Sequence, residues 1–138
     1  MIHLVLVSHS RPLAEGLADL VRQMGPPELI VTPVGGTEDS QGTVHLGTNA
    51  LAILAAIDAH TDARGILILV DLGSAVLSAE TAVDMLDPAL QARCCISNAP
   101  LVEGAIIAAI EAGLDRTLPE INAAAEAVSH MVKVLPRS

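Results

Sequence analysis

Apolar and polar positions fall into short alternating blocks along the chain. Ile2 to Val7 is an aliphatic run rich in branched residues, which predicts a strand. Ser8-His9-Ser10-Arg11 follows, and Pro12 then fits the first turn of a helix, where its missing N–H costs little. Leu13, Leu17, Leu20, Val21 and Met24 recur at spacings of three and four, predicting a helix with one apolar face that ends at Gly25-Pro26-Pro27. Leu29 to Val34 predicts a second strand, and Pro33 suits it to a sheet edge. The glycine-rich stretch from Gly35 to Thr43 reads as loop throughout. Thr48 or Asn49 can cap the next helix, in which Ala50, Ile53, Leu54 and Ile57 share a buried face and Asp58 points outward.

Gly65 to Val70 is a continuous aliphatic run, as expected of a strand covered on both faces, and Asp71-Leu72-Gly73-Ser74 follows it at once. A helix of about Ala75 to Leu86 stops at Asp87-Pro88, and Arg93 to Ser97 gives a fourth strand ending in Asn98-Ala99-Pro100. Val102 to Ala112 is a helix closed by Gly113, and Pro119 to Val134 is expected to be the last helix. Strand and helix alternate, which calls for βαβ units and an α/β fold with helices on both faces of a mostly parallel sheet. With 138 residues, no linker and no internal repeat, one domain spanning 1–138 is expected.

Composition narrows the possible functions. No Phe, Tyr or Trp is present, so there is no ring to stack on a base. Sixteen acidic residues against seven Lys plus Arg give a net charge of -9, which removes the main favourable term for binding a phosphate backbone, and no nucleic-acid partner is expected. The apolar runs are too interrupted for a membrane span, and no basic leader precedes Ile2, so the protein is read as soluble and cytoplasmic. Cys94 and Cys95 are adjacent, which suits neither a metal clamp nor a C-x-x-C redox pair, and they read as buried thiols.

Functional groups in open parallel sheets gather where strands end, which nominates His9, the loop Gly35 to Thr43, Asp71 to Ser74 and Asn98 to Pro100. His9 follows a strand and precedes a helix whose N–H groups can hold an anion; a neutral imidazole there can attack phosphorus, although a loop-capping or solvent-facing histidine fits the position too. Asp71 can accept from one ring nitrogen of His9 and fix which nitrogen reacts, or it can serve an Asx turn or helix cap, and the two roles are compatible. Helix N-termini after His9 and Asp71, the latter at Gly73, together with the hydroxyls of Ser10, Thr43 and Ser74, can offset phosphoryl charge; backbone N–H groups near Gly36 can act as a nest, or the glycines can simply make a tight turn. Arg11 can add a cation or face solvent.

Other chemistries are absent by motif. The only lysine is Lys133, no P-loop or G-x-G-x-x-G is present, and S-H-S is not a hydrolase elbow. His3, His45, His60 and His130 are scattered, so no metal site is expected; His3 reads as packed or exposed on a sheet face, and His45 as able to approach the site's rim.

Four segments in order carry a resemblance: Val7-Ser8-His9-Ser10 with Leu13-Ala14-Glu15-Gly16; Gly47-Thr48-Asn49; Asp71-Leu72-Gly73-Ser74-Ala75 running into Leu77-Ser78-Ala79-Glu80-Thr81; and Asn98-Ala99-Pro100-Leu101-Val102-Glu103-Gly104. Together they span roughly residues 1 to 113, and the chain resembles the phosphotransferase subunits of phosphoenolpyruvate-dependent dihydroxyacetone kinases, relatives of the mannose-class enzyme IIA domains. The resemblance implies a three-layer α/β/α sandwich with a parallel four-stranded sheet in the order 2-1-3-4. It also implies phosphorylation of His9 by the histidine-containing phosphocarrier protein, with Asp71 in support. The phosphoryl group would pass to Mg-ADP held by the kinase's nucleotide-binding subunit, with no cofactor bound directly by this chain. A homodimer is implied as well, in keeping with apolar Ile121, Ala124, Ala125, Val128, Val132 and Leu135 in the last helix. Alternatives are donation to a sugar-transporter component, or a regulatory binding module without transfer; the presence of both His9 and Asp71 argues against the second.

Overall fold

The computed structural model describes residues 1–137. Its elements, in chain order, are β1 (Ile2–Ser8), α1 (Arg11–Met24), β2 (Ile30–Gly35), β3 (Thr37–Glu38), β4 (Val44–His45), α2 (Ala50–Asp58), β5 (Gly65–Val70), α3 (Gly73–Asp84), α4 (Pro88–Gln91), β6 (Cys94–Ile96), α5 (Leu101–Ala112) and α6 (Leu118–Ala127), then a 3-10 turn at Val128–His130. The main sheet runs β2-β1-β5-β6 with every pairing parallel, which is the expected 2-1-3-4 order. The order reverses between β1 and β5, so the loops after these two strands open side by side.

Side chains alternate across the sheet and build two cores. Ile2, Leu4, Leu6, Leu67 and Leu69 face α1, α5 and α6, whereas Val5, Val7, Ile66 and Ile68 face α2 and α3. Alanines supply much of the helix side of both layers, including Ala14, Ala18, Ala75, Ala79, Ala105 and Ala108, which lets helix backbones sit close to the sheet.

Several elements depart from expectation. In α1 the buried stripe is Ala14, Leu17, Ala18 and Val21, while Leu13, Leu20 and Met24 stand half-exposed on its flanks. The alanines, invisible to a pattern weighted to large residues, face the strands. The segment after β2 is not wholly loop: Thr37 pairs with His45 and Glu38 with Val44 in a small antiparallel ribbon. Its turn is an Asx motif, in which Asp39 Oδ1 accepts from the N–H groups of Gln41 and Thr43. Asn49, not Thr48, caps α2. The last helix ends at Ala127 instead of Val134; it tightens into the 3-10 turn, and β-branched Val132 and Val134 before Pro136 do not support a further helical turn. Cys94 and Cys95 are half-buried, not buried, because they lie on a short edge strand; burial still pushes the Cys94 thiol up to about 11.

The two sheet edges differ. On β2, Arg22 donates to Val31 O and Arg11 to Gly35 O, both at 2.9 Å, and Pro33 between them has no N–H. On β6, Arg93 O and Ser97 N bond toward β5, so the alternate residues Cys94 and Ile96 turn their backbone groups outward. No helix of the described chain is long and apolar enough to cross a membrane.

Candidate active site

β1 ends at Ser8 and α1 starts at Arg11, leaving His9 and Ser10 to make the turn. Ser10 caps α1: its hydroxyl accepts from Leu13 N at 3.3 Å and its carbonyl from Ala14 N at 3.1 Å. Its own N–H donates to Ser8 Oγ at 3.0 Å. Together with Pro12, these bonds occupy most of the α1 N-terminus that would otherwise hold an anion.

Asp71, at the end of β5, gathers the site. Its Oδ1 accepts from His9 Nδ1 at 2.9 Å and from Leu72 N at 2.8 Å, and its Oδ2 accepts from Ser8 Oγ and from the His9 backbone N–H, each at 2.9 Å. Burial raises the carboxyl's pKa, but the bonds from the His9 backbone, the His9 ring and Ser8 outweigh it and hold the group below the ordinary aspartate value. An ionised carboxylate only accepts, so the shared proton sits on His9 Nδ1; in the neutral ring Nε2 then carries the free lone pair. Ser74 Oγ lies 2.8 Å from Nε2 and donates to it. The loop is further tied by Gly47 N–H to His9 O at 2.9 Å. The His9 side chain keeps 24% of its surface exposed.

α3 begins beside this ring, with Leu72 at its N-cap position and no side-chain cap. Among the described residues, the N–H groups of Gly73 and Ser74 at its first two positions have no partner, and both residues are exposed. The positive end of a helix is thus open next to Nε2, which favours an anion arriving there.

His9, Asp71, Gly73, Ser74 and Ser10 therefore come together. Gly36 and Thr43 lie in the neighbouring ribbon region. Gly36 is buried at φ +71°, where a Cβ would come within 2.8 Å of Val44 Cγ1, so the glycine permits the close packing of β2 against β4. Thr43 uses its backbone in the Asp39 turn, and none of its hydrogen bonds reaches His9. Arg11 is partly exposed but not free: it donates to Gly35 O and to Glu38 Oε1. His45 is paired with Asp39 at 2.8 Å in the ribbon. His3 is fully buried, with Nε2 2.8 Å from Thr32 Oγ1. Among the described residues, no group of three or more His, Cys, Asp and Glu is arranged to hold a metal.

Two contributors escape sequence reasoning. Ser8 reads as the first residue of the polar stretch after the first strand, yet it closes β1 in a fully buried position, donates to Asp71 and accepts from Ser10. Gly47, visible only as part of the Gly47-Thr48-Asn49 segment, grips the His9 carbonyl. A hydroxyl at the buried end of a strand beside an acidic loop is the signal that could have marked Ser8.

Comparison with known proteins agrees with this geometry. Residues 3–122 match the family described as the phosphotransferase system (PTS) fructose IIA component. The chain is 40% identical over 131 residues to the phosphoryl donor subunit of PEP-dependent dihydroxyacetone kinase from Klebsiella michiganensis, covering 92% of this chain and 28% of that protein. The corresponding subunit of kinase 2 from Listeria innocua is 45% identical over 111 residues, covering 80% of this chain and 86% of its own length. The crystal structure of EF1359, a protein of unknown function, superposes with a TM-score of 0.80 at 41% identity, covering 91% of this chain and 92% of that one. The chain spans about a quarter of the length of the Klebsiella and Providencia stuartii relatives, 28% and 25% respectively. By the family match and these identities, the chain belongs to the IIA components of the phosphotransferase system, together with the phosphoryl donor subunits of PEP-dependent dihydroxyacetone kinases.

Proposed function

We propose that the protein is a phosphoryl relay. It takes phosphate on His9 from the histidine-containing phosphocarrier protein and passes it to Mg-ADP bound on the nucleotide-binding subunit of a dihydroxyacetone kinase. The observation that carries this reading is the hydrogen bond from His9 Nδ1 to Asp71, which leaves Nε2 as the reactive lone pair beside the uncapped start of α3. In the first transfer, Nε2 attacks phosphorus, and the carrier's P–N bond breaks with its electron pair returning to the carrier's ring. His9 keeps its Nδ1 proton, and Asp71 balances the positive charge that develops on the ring. The Ser74 hydroxyl swings from Nε2 to a phosphoryl oxygen, and the N–H groups of Gly73 and Ser74 receive the others. In the second transfer, a terminal oxygen of ADP attacks the same phosphorus and the P–N bond to His9 breaks. Alignment and charge compensation dominate both steps, because the P–N bond is already labile.

Ser10, Gly36 and Thr43 support the phosphoryl site at one remove, by holding the loops around it. Magnesium and nucleotide belong to the partner, since this chain offers no P-loop lysine to grip them. The same reading gives a single domain over 1–138, a cytoplasmic location and a homodimer. Ile121 and Ala125 of α6 are spent on the core, so the dimer draws on exposed Val132 and Leu135 beyond it.

Incubation with phosphoenolpyruvate, enzyme I and the phosphocarrier should give one acid-labile phosphate per chain, absent from His9→Ala. The isolated phosphoprotein should then lose label rapidly to the ADP-loaded kinase subunit, and slowly to free Mg-ADP or to dihydroxyacetone. Label persisting in His9→Ala would overturn the residue assignment. Preference for a sugar-transporter domain would move the protein to that branch.

A further inference from the structure

Thr48 and Ser78 tie two helices together beside His9, and neither touches the reacting groups described above. Their hydroxyls lie 2.7 Å apart, one donating to the other, and both residues are half-buried. Thr48 stands just ahead of α2, where Asn49 accepts the capping bonds from Leu51 N and Ala52 N, so the Thr48 hydroxyl is not spent on its own helix. Ser78 lies in α3 four positions after Ser74, which puts both serine hydroxyls on one face of that helix. From the His9 carbonyl the links run to Gly47 N–H at 2.9 Å, to the adjoining Thr48, across to Ser78, back one turn along α3 to Ser74, and from the Ser74 hydroxyl to His9 Nε2 at 2.8 Å. The circuit returns to the residue it left. The backbone and the ring of His9 are thereby joined through α3 by a path independent of Asp71. The ribbon backs this path, because a Cβ on Gly47 would stand 3.1 Å from Thr37 Cγ2.

The start of α3 is otherwise lightly held. Leu72 gives it no side-chain cap, nothing lies within 4 Å of where a Gly73 Cβ would stand, and the fully buried residues of the helix are Ala75, Ala79 and Ala82. Methyl groups let the helix lie close to the layer below, but they offer no long side chain to interlock with it. As phosphate arrives, the Ser74 hydroxyl leaves Nε2 for a phosphoryl oxygen, so the ring loses its direct link to α3. At that moment the Gly73 and Ser74 N–H groups must stay within reach of the phosphate. The bond one turn further along the helix is untouched by the exchange.

We infer that Thr48 and Ser78 are a positioning pair for phosphate uptake, holding the first turn of α3 at the distance from His9 where its N–H groups meet the phosphoryl oxygens. The inference rests on the relay reading and adds to it a tie that acts only through α3. A small shift of a helix N-terminus lengthens several N–H···O bonds at once, so a link one turn away bears on the rate of transfer.

Phosphoramidate is the phosphoryl source for the test, because it is small enough to report on His9 and α3 without a protein partner. Thr48→Val and Ser78→Ala should each slow labelling by roughly 3- to 10-fold, the scale of one neutral hydrogen bond. The double variant should be no slower than either single one, since both remove the same link. Thr48→Ser keeps the hydroxyl and should restore the wild-type rate. Thr81→Val is the control: that hydroxyl also belongs to α3 but donates to Leu77 O within the helix, and its loss should leave labelling unchanged. In amide NMR spectra the Gly73 and Ser74 protons should move downfield when the wild type is phosphorylated, and move less in Thr48→Val. Rates are taken on folded protein, well below each thermal midpoint. A bond that only holds the fold would lower that midpoint and leave labelling and amide shifts as in wild type, which would overturn the proposal. Additive losses in the double variant, no recovery in Thr48→Ser, or an equal loss in Thr81→Val would overturn it too. If the wild-type protein took label from neither phosphoramidate nor the phosphorylated carrier, the relay reading itself would fall, and the positioning role with it.

Discussion

Strand β1 carries His3 near its start and delivers His9 just past its end, so two histidines six positions apart sample the two ends of one sheet. His3 is wholly buried; its Nδ1 has no partner, and the His60 ring stands edge-on 5.0 Å away. Burial, with a smaller push from the His60 charge, drives its pKa down from 6.5 to about 4. His9 is partly open, with a carboxylate on one nitrogen and a hydroxyl on the other. The same imidazole is therefore silenced at one end and equipped at the other. What stands at the ring nitrogens decides which, and burial alone yields an inert histidine.

The comparison is sharpened most by exchanging the two losses. His9→Ala should abolish phosphate uptake and keep the pH dependence that His3 confers. His3→Gln should do the reverse. His3 binds its proton more readily in the unfolded chain, so stability is retained above about pH 6.5 and falls as pH drops toward 4, by about 3 kcal/mol across that window. Urea midpoints of wild type at pH 7 and pH 4.5 should differ clearly, and those of His3→Gln should converge. The Asp71 carboxyl acts on the same curve only at lower pH: its folded pKa is depressed, so its contribution is present above about 4 and fades below.

A smaller effect comes from converting the His9 environment toward that of His3. Asp71→Asn leaves the shape but replaces an all-acceptor group with one that must present N–H to some of its four donors. Phosphorylation should slow by roughly 10- to 100-fold with both phosphoramidate and the carrier, the scale of losing a charged hydrogen bond that orients a reacting group. Unchanged transfer rates would return Asp71 to a purely structural role. Smaller still, Ser74→Ala should slow phosphorylation by about 3- to 10-fold, the size of one neutral hydrogen bond. Its thermal midpoint should hardly move, since Ser74 is exposed. A loss of stability in step with activity would show the hydroxyl to be holding the fold instead.

How much of this was legible in advance follows from where the information lies. The strand order was legible only through family resemblance, since aliphatic runs identify strands without ordering them. The pairing of His9 with Asp71 was legible because both stand immediately after apolar strands, where open sheets collect their polar groups. Ser8 was not, because it stands in the polar stretch after the aliphatic run, whereas it is the fully buried last residue of β1 and its hydroxyl reaches Asp71. The α1 N-terminus was expected to hold the phosphate alongside that of α3, yet Ser10 and Pro12 make it a well-closed start and leave the open one to α3. Helix capping is a competition among neighbours for a few N–H groups, and a linear pattern does not say who wins. The ribbon at Thr37 to His45 is invisible in the sequence for a related reason: four paired residues carry almost no periodicity, and a side-chain turn at Asp39 makes the hairpin.

The arginine-sealed margin at β2 also bears on how many copies can associate. A sheet with two open margins can add strands at both, and nothing then stops a row of molecules from lengthening. Here Arg11, Arg22 and Pro33 close one margin, and only Cys94 to Ile96 offers backbone groups at the other. Any two copies that meet margin to margin through β6 turn their sealed β2 strands outward. Such a composite sheet would have no site for a third, so strand-wise pairing through β6 would stop at two copies instead of running on into a fibre.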